Sequence, residues 1–204
     1  MNTSFKIFAD FDKEERWLNR QAAEGRLVHK AGPLYAFAPV EPGSAVVRVD
    51  YRPTMSAADF DDYVTLFADA GWRHLAGTRT SGTQYFASSA ERADTEIFSD
   101  PSSRALRYRR ALGVTGGIAA LYLLLVFVLV VSGNSVFESL FTPGAWYLTP
   151  GLWQKEGWAL VGAFLFETPF VILRIGAPVL LVAACIVMLA TVAHQWRLYR
   201  RATV

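Results

Sequence analysis

Two long runs of uncharged, apolar residues place the strongest constraint on what this chain can fold into. Residues 111–131 are 21 positions without a charge, and residues 175–193 are 19 positions without a charge. At about 1.5 Å of helix per residue the runs reach about 32 and 29 Å, which matches the hydrocarbon core of a bilayer. We therefore expect a two-helix transmembrane hairpin at 111–131 and 175–193.

Arginines stand on the outer side of both runs. The residues that we interpret as membrane-flanking are Arg104, Arg107, Arg109, Arg110, Arg197, Arg200 and Arg201. Basic residues beside a span mark its cytoplasmic side, and they attract anionic lipid headgroups. The pattern predicts a multi-pass protein of the cell membrane, in contact with the lipid bilayer and with both termini in the cytoplasm.

The net charge of +2 comes from these flanks. Residues 1–100 carry 11 basic and 15 acidic side chains, a net charge of −4. An acidic first half is unlike the basic surface of a nucleic-acid-binding protein, so we expect no nucleic-acid partner.

The single cysteine, Cys185, lies in the second apolar run, which leaves no disulfide framework and no cysteine metal site.

Helix and strand signals predict an α+β head in residues 1–100. Its first half shows a strand, a helix with Asp12 as N-cap and Gly25 as its end, and a two-strand hairpin. The second half repeats that order: Ala45–Arg52 alternates apolar and charged residues, and Ser56 begins a second helix. We interpret the head as a duplicated βαββ unit with two helices on one sheet. Two unrelated segments that share turn signals are the alternative.

The rest of the chain divides around the two apolar runs. We expect a basic juxtamembrane helix at 101–110, an extracytoplasmic aromatic and interfacial segment at 132–174, and a basic cytoplasmic tail at 194–204. Residues 158–173 are apolar but hold a glutamate and a proline. They are interpreted as interfacial or re-entrant, or as the beginning of a longer second helix.

Several short blocks follow one another along the first half of the chain. They are residues 8–19, 23–25, 49–53, 70–72, 84–86 and 96–101. Together they resemble an uncharacterised bacterial family, the domain of unknown function 2812, over about residues 5–110. The resemblance implies a head that precedes membrane spans and a gene often found beside one for a PadR-like transcription regulator. It implies no activity and no catalytic residue.

No catalytic constellation is present in the sequence: the motifs for nucleotide binding, a nucleophile elbow or a helical zinc site are missing. His29 and His74 take equivalent places in the two halves and could share a site, but surface histidines of hairpins are the simpler interpretation. Four acidic residues at 10–15 suggest a metal, but capping and a solvated helix start explain them better. We expect neither an enzyme nor a bound metal or cofactor.

Arg48, Asp50 and Arg52 form the sharpest candidate site. Alternate residues of a strand share one face, so the three lie within about 13 Å at ~3.3 Å per residue. With Tyr35 or Tyr85 nearby, two guanidiniums and a carboxylate would bind an anionic ligand or a protein partner. A cross-strand ladder of ion pairs is the simpler interpretation of the same residues.

These observations favour a non-enzymatic, membrane-anchored bacterial protein whose cytoplasmic head binds a regulator protein or senses a signal. The alternative is a small-molecule-binding or accessory subunit of a membrane transport complex, since duplicated βαββ modules resemble the ligand-binding heads of some multidrug-responsive regulators. Gly113 and Gly117 have the spacing of a homodimer contact, or are ordinary glycines of a span. Neither apolar run holds an Asp, Glu, Lys, Arg or His residue, which argues against a channel or transporter.

Overall fold

The structure, a computed structural model, describes residues 2–92, 97–98, 101–133, 142 and 146–203. Part of the predicted interfacial segment, at 134–141 and 143–145, lies outside the described residues. The chain divides into two compact units. One consists of Met1–Thr115 with Thr191–Val204, and the other of Gly116–Ala190.

The first half of the head consists of a strand, a helix and two more strands. These are β1 (Asn2–Phe5), α1 (Phe11–Ala23), β2 (Arg26–Lys30) and β3 (Leu34–Pro39). The three strands form an antiparallel sheet in the order β1-β3-β2. Gly25 follows α1 with a φ of 81°, a left-handed conformation that ends the helix as predicted.

The second half of the head has the same order of elements. They are β4 (Ala45–Arg52), α2 (Ala57–Asp69), β5 (Arg73–Ala76) and β6 (Gly82–Ser89), with the sheet order β4-β6-β5. The predicted bounds of β4 are confirmed. So is the capping box of α2, in which the Ser56 hydroxyl accepts from the backbone N–H of Asp59. The observed architecture is an α+β head with two three-stranded sheets.

The six strands do not form the single sheet that the sequence predicts. The outer edge of β4 is bonded to side chains of α1 instead of to another strand. Asn19 accepts from the backbone N–H of Val47 at 2.8 Å and donates to its carbonyl at 3.0 Å. Glu15 accepts from the N–H of Val49 at 3.1 Å. Peptide groups bonded in this way are not available to a further strand, so the sheet ends there.

The two helices lie on opposite faces of the second sheet, whereas the sequence predicts them on one face. Tyr85 and Ala87 of β6 belong to the main core cluster with Trp17 of α1. Phe86, between them, packs with Tyr63 of α2. Successive side chains of a strand point to opposite faces, so this sheet is covered on both sides.

Two long helices follow the head: α3 (Pro101–Val131) and α4 (Gly157–Ala202). Both are long and apolar enough to cross a membrane. Only 6% and 11% of their most apolar 18-residue windows are buried within the protein, unlike the core helix of a soluble domain. Helix α4 begins well before residue 175, which agrees with the longer-helix interpretation, and it contains Pro169 and Pro178.

The C-terminal end of α4 packs on the head. Leu198 and Tyr199 contact the main core cluster, which also contains Tyr108 of α3. The hydroxyl of Thr115 in α3 donates to Oε1 of Gln195 in α4 at 2.8 Å. Within the first unit, the beginning of α3 and the end of α4 therefore lie side by side.

Polar contacts in the second unit tie the segment before α4 to that helix. Glu167 accepts hydrogen bonds from the backbone N–H groups of Leu148 and Thr149, the latter at 2.9 Å, and from the Thr149 hydroxyl. Arg174 donates to the carbonyl oxygen of Trp146. These two ionisable residues of α4 therefore have polar partners, as groups removed from water require.

Candidate functional site

Helix α1 begins at a different residue from the one predicted. Its N-cap is Asp10, whose Oδ1 accepts from the backbone N–H of Asp12 at 3.0 Å and of Lys13 at 3.1 Å. The prediction of Asp12 as N-cap is wrong, because Asp10 already satisfies the free N–H groups of the first turn. The Asp12 carboxylate is therefore available for other partners.

Most of the acidic side chains at 10–15 are buried, so the expectation of a solvated helix start is also wrong. Asp10, Glu14 and Glu15 are 6%, 4% and 6% exposed. They share the inner side of α1 with apolar residues such as Phe11 and Leu18. A buried carboxylate is costly unless it is hydrogen-bonded or paired, so the partners of these groups define the candidate site.

Glu14 lies between the two predicted tyrosines. The hydroxyl groups of Tyr35 on β3 and Tyr85 on β6 each donate to Oε1 of Glu14 at 2.6 Å. Burial raises the pKa of Glu14, against the lowering effect of the two phenol hydrogen bonds. Burial and the neighbouring carboxylate raise the pKa of both phenols, which stay protonated as donors. The structure thus joins both sheets through one carboxylate.

One cavity borders this carboxylate, and a second cavity shares Tyr85 with the first. The smaller, of about 170 Å³, is lined by Lys6, Ile7, Phe8, Glu14, Gly32, Pro33, Tyr35, Thr83 and Tyr85. The larger, of about 470 Å³, shares Tyr85 and is lined by both His29 and His74. The two histidines therefore do border one cavity. Among the described residues, no group of three or more histidine, cysteine or acidic side chains is placed to hold a metal ion.

Among the described residues of the head, Arg107 of α3 is the most deeply enclosed charge, with a side chain that is 0% exposed. Its Nη2 donates to Oδ1 of Asp12 at 2.5 Å, and its Nη1 donates to the carbonyl of Val49 at 2.8 Å. Nη1 is also 3.5 Å from Oε2 of Glu15. The guanidinium therefore bridges α1 and the edge of β4 from a third element.

Tyr108 and Arg104 extend this contact to the first turn of α1. Tyr108 donates to Asp12 Oδ2 at 2.8 Å and lies 3.1 Å from Asp10 Oδ1, and Arg104 donates to Asp12 Oδ1 at 2.6 Å. Burial acts to raise the pKa of Asp12, but Arg107, Tyr108 and Arg104 together hold it below its usual value. Burial raises the pKa of Glu15 even though Arg107 and Arg48 oppose the shift.

The predicted candidates of β4 separate into two places. Arg48 lies 3.6 Å from Glu15 and its side chain is only 11% exposed. Asp50 is 1% exposed; it accepts from Tyr63 at 2.9 Å and pairs with Arg52 at 3.3 Å. The strand face is therefore closed at Arg48 and Asp50 and open only at Arg52, which is 40% exposed, and Asp50 and Arg52 lie apart from the tyrosines at Glu14.

The seven arginines that we interpret as membrane-flanking fall into two groups: three pair with carboxylates of the head, and four are exposed to solvent. Arg104 and Arg107 bind carboxylates of α1, and Arg110 pairs with Asp50 at 3.4 Å. The other four are exposed: Arg109, Arg197, Arg200 and Arg201. The glycines of the predicted homodimer contact, Gly113 and Gly117, are exposed, with nothing within 4 Å of an added Cβ.

Sequence reasoning did not select Glu14, and it assigned Arg107 only to the membrane surface. The spacing of Phe11, Glu15, Leu18 and Ala22 was an available signal, because residues at i, i+4, i+7 and i+11 share one helix face. A carboxylate on the apolar face of a helix will be buried, and it therefore needs hydrogen-bond or ion-pair partners inside the protein. Nothing local indicated that those partners would come from α3.

Comparison with known proteins identifies one family. The model of the family described as Protein of unknown function (DUF2812) matches residues 10–120, more than half of the chain. The chain belongs to the DUF2812 family. No curated protein and no solved structure matches it. In this DUF2812 member the matched region contains the carboxylates of α1 together with Arg107, whereas helix α4 lies outside it.

Proposed function

We propose that this DUF2812 member is a non-enzymatic, membrane-anchored protein whose cytoplasmic head senses a signal or binds a regulator and passes the event to α3. The observation that carries this proposal is the burial of Arg107. It is fixed to Asp12 and to the β4 edge, and it belongs to the same unbroken helix as the first apolar run. A shift of α1 would therefore displace α3 directly.

The membrane location is supported by the character of both long helices. They are long and apolar enough to cross a bilayer, and their apolar side chains are largely exposed, with Phe127 62% and Leu180 71% accessible. The contact of Thr115 with Gln195 supports an even number of crossings, because it brings the two outer ends together. We place the spans at 111–131 and 175–193 with both termini in the cytoplasm.

Labelling of single cysteines tests this topology. In full-length protein with Cys185→Ser, one cysteine is introduced at Thr3, Lys155 or Thr203, all of which are exposed. An impermeant maleimide applied to intact cells should label Lys155→Cys and should label the two terminal variants only after the cells are opened. Labelling of Thr203→Cys in intact cells would contradict the hairpin.

An internal duplication of the head is part of the proposal. Helices α1 and α2 both have 13 residues and begin 46 positions apart, at 11 and 57. The glycines that end them, at 25 and 71, have the same separation. Both sheets place their third strand in the centre, and β2 and β5 shift register after Val28 and His74, which are also 46 positions apart. In this alignment His74 corresponds to Val28 and not to His29, so the expectation of equivalent histidines is wrong by one position. Shared ancestry accounts for this agreement more simply than chance does.

The regulator is proposed from the resemblance to a family often encoded beside PadR-like proteins. Capture of such a regulator by the full-length protein in nanodiscs tests the binding step. Arg52→Ala should weaken capture, because this arginine is 40% exposed beside Asp50, whereas Arg73→Ala on the exposed side of β5 serves as control. Absence of capture, or equal capture by both variants, would count against Arg52 as part of the partner site.

The relay step has its own measurement. Amide hydrogen exchange in residues 101–115 should change when the regulator binds the wild-type protein. The change should disappear in Arg107→Ala and persist in Arg109→Ala, because only Arg107 is buried against α1. Equal responses in both variants would show that α3 is not coupled through Arg107.

A small-molecule-binding role, alone or as an accessory subunit of a transport complex, is the second candidate. The observation that favours it is the cavity beside Glu14, walled by Phe8, Tyr35 and Tyr85. A thermal-shift screen of the full-length protein, repeated with Tyr35→Phe and Tyr85→Phe, tests it. Shifts that vanish in both variants would favour this role.

A homodimer through α3 is proposed as the oligomeric state. Gly113 and Gly117 are separated by one helical turn and leave open space, so a second copy could approach closely. Gly117→Leu should lower the dimer fraction in single-molecule counting in nanodiscs, with Gly116→Leu as the control. An unchanged dimer fraction would place any self-association elsewhere.

A further inference from the structure

The carboxylate of Glu14 is satisfied on one oxygen only. Both phenols donate to Oε1, and among the described residues no hydrogen-bond donor reaches Oε2. No lysine or arginine of the described chain forms an ion pair with Glu14 either; Arg107 acts on it only at longer range. A carboxylate that is 4% exposed and lacks a cationic partner leaves a charge that a bound cation would neutralise.

The smaller cavity supplies the space for such a cation. Its volume of about 170 Å³ borders Glu14, and Phe8, Tyr35 and Tyr85 form aromatic parts of its wall. This volume would hold roughly six water molecules at about 30 Å³ each, or one small organic ion. The site therefore combines a negative group with apolar ring surface.

Lys6 shows that the entrance already attracts a positive charge. Its Nζ lies 4.8 Å from the centre of the Trp17 ring and 5.9 Å from that of Phe8. The Phe8, Trp17 and Tyr35 rings contact one another with centroid distances of 4.9 to 6.2 Å. Ring faces carry negative potential, so this aromatic cluster stabilises an ammonium group.

We propose that the cavity binds a small primary alkylammonium ion, whose N–H group donates to Glu14 Oε2 and whose alkyl chain packs on the aromatic wall. This inference rests on the proposed sensing function and names the chemical class of the signal. The neutral phenols and the single carboxylate exclude a tightly held hard metal ion, which requires six or more oxygen ligands. The negative charge of Glu14 disfavours an anion.

The charge of Lys6 predicts how a second substitution will change the affinity for the ammonium ion. Its side chain is exposed and carries the same charge as the ligand at the entrance of the cavity. Removal of this charge should therefore strengthen the binding of an ammonium ion without disturbing the buried core. Lys13 provides a matched control, because it is a 63% exposed lysine on α1 that pairs with Asp10 and does not line the cavity.

Calorimetric titration of the full-length protein in nanodiscs tests the proposal, with n-butylammonium chloride as probe and n-butanol as its neutral counterpart. The ammonium ion should bind and the alcohol should not. Glu14→Gln should weaken binding about tenfold or more, as expected for one charge-assisted hydrogen bond. Lys6→Met should tighten it about threefold, the effect of one exposed like charge, and Lys13→Met should leave it unchanged.

Equal binding of the alcohol, or unchanged binding in Glu14→Gln together with unchanged binding in Lys6→Met, would overturn the proposal. Lys6→Met keeps the test informative if Glu14→Gln does not fold. The relay through Arg107 is measured separately, by hydrogen exchange on regulator binding. Failure of the ammonium site would therefore leave that result standing, and failure of the relay would leave the binding result standing.

Discussion

Arg107 and Asp12 are 95 positions apart in the chain, yet Nη2 of the arginine lies 2.5 Å from Oδ1 of the aspartate. The arginine side chain is wholly buried, and it stacks within 5.6 Å of the Phe11 and Tyr108 ring centres. A buried charge pair of this kind holds α3 in one position on the head, because any displacement would leave an uncompensated charge.

Arg107→Ala should therefore destabilise the head strongly. Loss of one partner of a buried ion pair costs about 3–5 kcal/mol, since Asp12 and Glu15 would lose their fully buried cation and keep, among the described residues, only Arg104 and Arg48 beside them. Denaturant unfolding of the full-length protein in detergent measures the change. Arg109→Ala, an exposed arginine two positions away, should stay within about 0.5 kcal/mol of wild type. Similar losses for both variants would contradict the buried role of Arg107.

Asn19→Ala should loosen the edge of β4. The Asn19 amide both accepts from and donates to Val47, so within the described part of the chain its removal leaves the Val47 N–H unsatisfied and its carbonyl with only the long hydrogen bond from Arg48 Nη1 at 3.4 Å. We expect a loss of about 1–3 kcal/mol for an unsatisfied buried group and faster hydrogen exchange at the Val47 amide. Arg20→Ala, on the exposed side of the same helix, should change neither quantity.

Glu14 and Asp12 should respond to pH in opposite directions. The pKa of Glu14 is raised in the folded protein, so the folded state binds more protons than the unfolded chain between the ordinary value of 4.5 and the raised value. Stability should therefore fall as the pH rises through that interval. Glu14→Gln should reduce this slope and leave the protein at least as stable as wild type at neutral pH; the slope that remains belongs to Glu15, whose pKa is also raised by burial.

The pKa of Asp12 is lowered from its ordinary value of 3.8, so its contribution is present above that value and is lost as the pH falls through the folded pKa. Asp12→Asn should make the free energy of unfolding depend less on pH below 3.8. Thermal unfolding of the three proteins across the pH range measures both slopes. A Glu14→Gln variant that keeps the full wild-type slope above pH 4.5 would contradict the raised pKa of Glu14.

Gly25→Ala should cost more than Gly43→Ala. Both glycines have positive φ, 81° and 74°, where an alanine costs about 1–2 kcal/mol. An added Cβ at Gly25 would also lie 3.1 Å from the carbonyl oxygen of Val40, whereas nothing lies within 4 Å at Gly43. The difference between the two variants in the free energy of unfolding, measured in urea, gives the cost of the close contact at Gly25. An equal cost would show that Val40 moves freely.

The parts of the fold that local patterns specify were predictable. Alternation along Ala45–Arg52, the Ser56 capping box and the two long apolar helices depend on residues near one another in the chain, and all are confirmed. The resemblance to the DUF2812 family is confirmed over residues 10–120. The duplication, the topology and the homodimer stay predictions.

The division into two sheets and the burial of Glu14 could not be predicted in the same way. The single-sheet expectation failed because Asn19 and Glu15, which lie on a helix, take the hydrogen bonds at the edge of β4. Tyr35 and Tyr85 were selected by residue type, but their common partner was not, since Tyr85 is 71 positions from Glu14. The residue pattern within a single helix or strand does not indicate a contact between side chains that are so far apart in the chain.

The sequence by itself determined the two apolar helices, the order of strands and helices in the head, and the family. These depend on hydrophobic period, capping residues and turn glycines, which act over a few positions. Only the tertiary structure decided that Arg107 is enclosed by the head and that Glu14 receives two phenols from different sheets. Those contacts join groups 21 to 95 positions apart, and their geometry exists only once the core has packed.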